Sequence, residues 1–482
     1  MTCVAVVHYH LRTGGVTRIV QHACQALRER GVKVAVLAAT PPEMPLAAPA
    51  AVVPELAYDE RRPPVTTPRL IALLRREAER LLGRAPDLWH VHNHSLGKNS
   101  VLTDACRELA KQGERLLLQV HDFAEDLRPH QWCSLMENLG EGDAARLSAR
   151  LWPQAPQIHY AVINGRDRGI LARAGFEPER LHLLPNPVVA PRVPATSSTL
   201  SGGRLWLAPV RGIRRKNLGE LLLWSLLAEE GVVVSTSRRP ENPREQAQHR
   251  HWQRAAARLR APLRLGLVES EGLSFESLLK GVECFVTTSV AEGFGMAFLE
   301  PWLLERPLVG RDLPEITADF VSGGVVLEEG CYSRLEVPEG WLGRDRLWHA
   351  ATSALQRWYG EYGRSQPPAA VDAVLNAWCR EGRVDFGRLD EPLQMRVLER
   401  LVEHPVEREA LSPSALTPPA PARVEANRRA VAEGWDLQAY GRRLSALLEE
   451  VAASPSGPVE ALEGTPVLDG FLDPSRLWLL RV

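Results

Sequence analysis

The order of short apolar runs and amphipathic stretches constrains this chain more than any other feature. Candidate strands at Cys3–Val7, Val32–Leu37, Leu88–Val91, Leu116–Val120, Tyr160–Ile163 and Leu181–Leu184 alternate with helical periodicity at Val16–Arg30, Leu70–Leu82, Val101–Lys111 and Arg166–Ala174. Parallel strands need a crossover, and a helix supplies it, so this alternation predicts a parallel sheet wound in both directions. The stretch Pro185–Gly203, with four prolines and a Ser/Thr/Gly cluster, reads as a linker. The alternation then restarts, with strands at Leu205–Ala208, Val232–Ser235, Leu263–Leu267, Cys284–Thr287 and Pro307–Val309. Helices are predicted between them at Leu218–Ala228, Glu245–Leu259, Phe275–Val282 and Met296–Leu304. The expected class is α/β: two Rossmann-like doubly wound parallel-sheet domains, an inter-domain cleft and a helical C-terminal extension.

A chain of 482 residues exceeds one ordinary core. The expected divisions are 1–190, 191–340, a mostly helical stretch 341–430 of unassigned role, and 431–482. Helices are predicted in the last two at Leu347–Tyr362, Leu393–Val402 and Leu437–Val451, with a Pro-rich interruption at Ser412–Pro421.

Lys and Arg number 58 against 59 Asp and Glu, a formal net charge of −1, which gives no support to general nucleic-acid or membrane-surface binding. No apolar stretch reaches the roughly 18–20 residues of a membrane span, so no integral membrane segment is expected. Met1 leads straight into an apolar strand, which makes a cytoplasmic protein the default expectation. Seven scattered cysteines without a C-x-x-C pair indicate neither a disulfide framework nor a structural zinc site.

The chemistry concentrates at strand ends. In the run E-G-F-G-M-A-F-L-E, Glu292 and Glu300 flank a Gly-aromatic-Gly turn that follows the strand Cys284–Thr287. If a helix begins there, the N–H groups of Phe294, Gly295 and Met296 face an anion, and Glu300 lies near the same end. Two carboxylates beside an anion site suit a ligand that is both phosphorylated and rich in hydroxyls, such as a nucleotide sugar. The same run also reads as a surface acid, a turn and a helix that ends in Glu. Gly14 and Gly15, after the first strand, allow a close phosphate approach, but they equally fit a tight strand–helix turn. In R-G-I-R-R-K, Arg211 and Lys216 can converge on a diphosphate, with Arg214 and Arg215 near enough to compete.

Three histidines alternate in D-L-W-H-V-H-N-H, so His90, His92 and His94 share one face if the strand continues. The segment lacks a carboxylate or water-activating partner for zinc, and one or two of these residues lining a cleft is the better reading. His121 ends another strand in V-H-D, where it can bond a sugar hydroxyl or sit within a loop.

Together these motifs resemble the GT-B glycosyltransferases, in particular the retaining group called family four, in order over about residues 3–316. The resemblance rests on Gly14 and Gly15, on Asp87, His90 and His92, and on His121. It continues through Ile163 and Asn164, Asn186 and Pro187, Arg211 and Lys216, and Glu292 to Glu300. It implies a nucleotide-sugar donor (UDP-, GDP- or ADP-linked), a small-molecule or glycan acceptor, no separate cofactor and no metal; no D-x-D run occurs. Arg211 and Lys216 then neutralise the diphosphate, and Glu300 holds the ribose. Glu292 with the Phe294, Gly295 and Met296 turn holds the sugar, and His121 contacts its hydroxymethyl end. Gly14 and Gly15 face the diphosphate, and Arg18, His92 and Asn186 complete the binding set. The resemblance makes 1–190 the acceptor-side domain and 191–340 the nucleotide-sugar domain, and it returns the helix at Leu437–Val451 to the first domain. The loop His8–Arg12 is bulkier and more basic than the family's minimal loop, which suggests a phosphorylated or carboxylated acceptor. A GT-B epimerase or phosphorylase, and a nucleotide-sugar-binding scaffold without turnover, are the competing readings.

Overall fold

The computed structural model describes residues 2–191 and 204–482, so the end of the predicted linker lies outside the described residues. Two compact units are present: Met1–Pro187 with Trp435–Leu472, and Val188–Gly434 with Asp473–Val482.

The first unit is built on seven strands: β1 (Cys3–Val7), β2 (Lys33–Ala38), β3 (Ala50–Val52), β4 (Leu88–His92), β5 (Leu116–Val120), β6 (Ile158–Val162) and β7 (Leu181–Leu183). Their spatial order is β3-β2-β1-β4-β5-β6-β7, and every pair is parallel. β1, β4, β5 and β6 are buried along their whole length, as parallel strands covered on both faces require. The chain winds outward from β1 through β2 and β3, then crosses back to β4. The order therefore reverses between β1 and β4. The helix Gly15–Arg28 covers one face and shares its core with the closing helix Leu437–Ala453, where Val20, Ala23 and Leu27 meet Tyr440, Leu444 and Leu448. Arg30 donates to the Gln438 carbonyl at 3.0 Å. A helix from the far end of the chain thus completes the first unit's core.

The second unit repeats the design with β8 (Arg204–Arg211), β9 (Val232–Arg238), β10 (Leu263–Arg264), β11 (Val282–Thr287), β12 (Leu308–Arg311) and β13 (Cys331–Tyr332). The order β10-β9-β8-β11-β12-β13 reverses between β8 and β11. Residues 341–430 belong to this unit. They add the helices Arg344–Glu361, Ala370–Trp378, Glu391–Glu403 and Pro421–Gly434. They also carry two strands of a small antiparallel sheet, Cys379–Arg380 and Arg383–Asp385, the latter pairing with Glu336–Pro338. Arg311, fully buried at the end of β12, joins the layers by bonding Glu220 and Asp385, each at 2.8 Å.

Two predicted elements differ in the structure. The strand expected over Leu263–Leu267 stops at Arg264, because Gly266 (φ 77°) turns the chain into the short helix Leu267–Glu271. The helix expected over Met296–Leu304 is a 3₁₀ turn at Met296–Phe298 followed by a four-residue helix, Glu300–Leu303. Leu299 leaves helical geometry (φ −120°), and Pro301 has no N–H to bond back to Ala297. The strand Ala50–Val52 and the antiparallel sheet were not foreseen, since two or three residues carry no readable period.

Candidate functional site

Ligands of doubly wound sheets lie beyond the carboxyl ends of strands where the strand order reverses. Each unit has one such point, and the motif residues collect there.

In the second unit the loops after β8 and β11 meet. The Val290 N–H donates to the Arg215 carbonyl at 3.0 Å, and the Thr288 hydroxyl to the Lys216 carbonyl at 2.8 Å. The Arg215 guanidinium caps the Ala291 carbonyl at 2.7 Å. This lacing places the Lys216 ammonium against the Glu292 carboxylate as an ion pair. Both side chains are nearly buried, at 10% and 11% exposure, so solvent screens the pair little. Arg215 adds a second cation 3.4 Å from Glu292. Burial pushes the Glu292 carboxyl up, but Lys216 and Arg215 outweigh it and hold its pKa below the ordinary value. The turn into the next helix is fixed by Asn217 in the left-handed region (φ 53°), a conformation that Asn tolerates, with its side chain accepting from the Glu220 N–H.

Arg211 does not join this pair. It ends β8 as a half-exposed side chain and bonds Glu241 at 2.8 Å. The predicted convergence of Arg211 and Lys216 is therefore not present, because each cation has its own carboxylate. Arg214 is drawn away too, to Glu391 at 2.6 Å.

The Phe294 ring is buried and packs edge-on against Phe320 at 5.4 Å, so it is core. Gly295 has φ 93°, and a Cβ there would lie 3.0 Å from the Phe298 ring and 3.1 Å from Ile316. Glycine is required at this turn by both conformation and space. Because the helix after it is broken, Met296 does not begin a regular helix. Glu300 instead opens the short helix Glu300–Leu303.

In the first unit, the ends of β1, β4 and β5 carry a cluster of imidazoles. His92 Nδ1 lies 2.9 Å from His121 Nε2, with the rings stacked 14° from parallel. His8 meets His92 edge-on at 6.0 Å, and His90 bonds Gln119 at 2.8 Å. Asn93, in the left-handed region (φ 56°), ends β4 and holds the next loop by accepting from the His121 N–H at 2.7 Å. Burial makes the cluster neutral, with pKa values pushed down to about 3 for His8 and about 4 for His90 and His121, and His92 well below its ordinary value. His92 Nε2, His90 Nδ1 and His8 Nδ1 have no protein partner.

This corrects two expectations. His90 and His92 share a face, but His94 does not, because Asn93 turns the chain and His94 bonds the Leu151 carbonyl at 2.9 Å. The loop His8–Arg12 is less basic than its letters: His8, Tyr9 and Leu11 are buried, while Arg12 is exposed. His8 was not among the predicted site residues, although its place just after β1 was the available signal. Gly14 is extended (φ 177°), and Gly15 opens the first helix with open space where a Cβ would stand, so neither glycine is demanded by backbone strain. Both are exposed, as is Arg18 in the same helix. Asn186 is buried, and its Oδ1 lacks a protein partner.

Two doubly wound parallel-sheet units, the second followed by a helix that returns to the first, are the architecture of the GT-B fold. The architecture matches the sucrose-phosphate synthase of Thermosynechococcus elongatus (TM-score 0.52, 13% identity, 94% of this chain and 100% of that one). It also matches the Anabaena HepE protein in complex with UDP (TM-score 0.51, 11% identity, 93% and 100%). Residues 13–190 match the family model described as Glycosyltransferase Family 4. The mannosylglucosyl-3-phosphoglycerate synthase of Petrotoga mobilis is 25% identical over 260 residues, covering 48% of each chain. The chain thus spans about half the length of this curated relative. Among the described residues, no helix is long and apolar enough to cross a membrane.

Proposed function

We propose that the protein is a retaining glycosyltransferase that moves a hexose from a nucleotide-diphosphate sugar to an anionic acceptor. The observation that carries this reading is the Lys216–Glu292 ion pair at the strand reversal of the second unit. A departing nucleoside diphosphate gains negative charge, and a buried ammonium fixed by a carboxylate and two laced loops stabilises that charge without reorganising. Glu292, kept ionised by Lys216 and Arg215, can accept hydrogen bonds from sugar hydroxyls. Arg211 lies at the adjoining strand end and reaches the diphosphate by exchanging Glu241, a mostly exposed partner, for phosphate.

The neutral His121 suits a donor hydroxyl better than a cation does, since an imidazole bonds it as donor or acceptor. On this reading, attack occurs on the face that the diphosphate leaves, and the leaving phosphate oxygen takes the acceptor's proton. No side chain is then needed as a dedicated base, and the two cations take the part a metal plays elsewhere. An anionic acceptor is supported by exposed Arg12, in the loop after β1, and exposed Arg18, in the helix that follows that loop. The Petrotoga relative's name also denotes a phosphoglycerate-bearing product.

A thermal-shift screen with UDP-, GDP- and ADP-glucose tests the donor class. A ligand at about 100 times its dissociation constant adds about 2.7 kcal/mol of stability. A shift with one nucleotide sugar that Lys216→Ala abolishes supports the assignment. No shift with any of them counts against it.

A further inference from the structure

The edge of the first sheet carries a cluster that the proposed transfer reaction does not use. His159 on β6 and His182 on β7 stack 11° from parallel, with His159 Nδ1 2.8 Å from His182 Nε2. Glu450, on the closing helix, brings a carboxylate oxygen to the same place, and the three ligand atoms lie within 4.8 Å of one another. We propose that His159, His182 and Glu450 form a binding site for a divalent transition-metal ion of the zinc class, which pins the closing helix to the sheet edge.

The donor set fits such an ion. Two imidazole nitrogens and one carboxylate oxygen suit zinc and its neighbours, and a tetrahedral ion leaves one position for water. The burial gradient suits it as well, because His159 is buried, His182 half-buried and Glu450 exposed, so the ion has an entry path.

The hydrogen bonds around His159 prepare it. The Ser454 hydroxyl donates to the Glu450 carbonyl at 3.1 Å, so at His159 it must accept, and His159 Nε2 carries the proton. His159 Nδ1 is then a lone pair aimed at His182. Fixing one ring nitrogen by an outer hydrogen bond is the usual arrangement for a metal-binding histidine. Without metal, His182 Nε2–H donates to that lone pair. Binding moves the His182 proton from Nε2 to Nδ1 and puts the ion where the proton was, with no net proton change on the imidazoles. The two nitrogens must separate by about half an ångström to span a tetrahedral ion with bonds of about 2.0–2.1 Å. His182, only half-buried, is the ring that makes this shift.

The Arg180 guanidinium is near enough to make His159 less basic, but it is paired with Glu177 at 2.6 Å, and Glu450 brings negative charge to the site. Burial keeps both histidines less basic than usual, so they are neutral ligands at pH 7. The apolar contacts of Tyr440, Leu444 and Leu448 hold the closing helix without metal, so the ion adds to an existing interface. The site is separate from the His8–His92–His121 cluster, which lies at the ends of β1, β4 and β5.

The test uses the full-length protein stripped with chelator, then titrated with Zn²⁺ by calorimetry and with Co²⁺ by visible absorption. One equivalent should bind, Co²⁺ should give ligand-field bands, and Zn²⁺ should raise the melting temperature. Ser454→Ala should weaken Zn²⁺ roughly 10- to 100-fold, as loss of an outer partner does, and His182→Ala should weaken it further. Glu450→Gln, at an exposed position, keeps the test valid if a histidine variant misfolds. Absence of Co²⁺ bands, or Zn²⁺ affinity equal in wild type, His182→Ala and Glu450→Gln, overturns the proposal.

Discussion

Lys216 and Glu292 are joined as an ion pair across the reversal of strand order in the second sheet, although 76 residues separate them. Neither is well exposed, and each is the other's main compensation for leaving water. Removing Glu292 takes from Lys216 its carboxylate, and removing Lys216 leaves Glu292 only the more exposed Arg215 as a cation.

Lys216→Ala should lower kcat by at least about a hundredfold, the scale for losing one donor that strengthens in the transition state. Glu300→Gln should act chiefly on the donor KM, because ribose hydroxyls are held equally in ground and transition states. Steady-state kinetics at saturating acceptor separate the two. An intact kcat in Lys216→Ala together with a lost kcat in Glu300→Gln would reverse the placement of diphosphate and ribose.

The product should keep the donor's anomeric configuration, and turnover near room temperature should persist in excess EDTA. Proton NMR of the first-formed product reads the first point, and an initial rate with chelator reads the second. Metal at His159 and His182 affects melting temperature rather than rate, so the two measurements do not interfere. An inverted anomeric coupling, or a rate lost to EDTA and restored by manganese, would remove the mechanism proposed above.

Acid should destabilise the first unit. His8, His90, His94 and His121 have folded-state pKa values of about 3 to 4, below their ordinary 6.5. The unfolded chain therefore binds more protons between about pH 4 and 6.5, and stability rises with pH across that window, by up to about 1.4 kcal/mol per pH unit for each histidine. Glu125 works the other way. Burial raises its pKa to about 7 from 4.5, so its contribution is full at low pH and is lost as pH rises toward 7. Four groups outweigh one. Urea unfolding at about pH 5 and about pH 7 should show greater stability at the higher pH, and Glu125→Gln should steepen the rise. Greater stability at the lower pH would contradict the burial of the cluster.

Arg311→Met should destabilise the second unit by about 3–5 kcal/mol, because Glu220 and Asp385 are left as buried acids without a cation. Replacing all three with apolar residues of similar volume should recover much of that loss. Chemical denaturation of the single and triple variants checks both. Equal stability of the single variant and wild type would mean the triad is not buried as described.

The sequence by itself determined the two wound sheets, since buried parallel strands are continuous apolar runs and their crossovers are periodic helices. The first strand of the first unit was legible to the residue, that of the second was placed but runs on from Ala208 to Arg211, and the loops that carry Lys216, Glu292 and His121 were legible too. Periodicity does not tell which loops are neighbours. Strand order decides that, and it arises from long-range pairing: β8 joins β11 although β9 and β10 intervene in the chain, and this pairing sets Lys216 against Glu292 and leaves Arg211 to Glu241. The charge on His8 and its neighbours was likewise hidden, because a letter gives the ordinary pKa and only burial moves it. The broken turn before Glu300 was written in Pro301, which has no N–H to continue the helix. Local preference set the elements, and tertiary contacts decided which of their ends became a site.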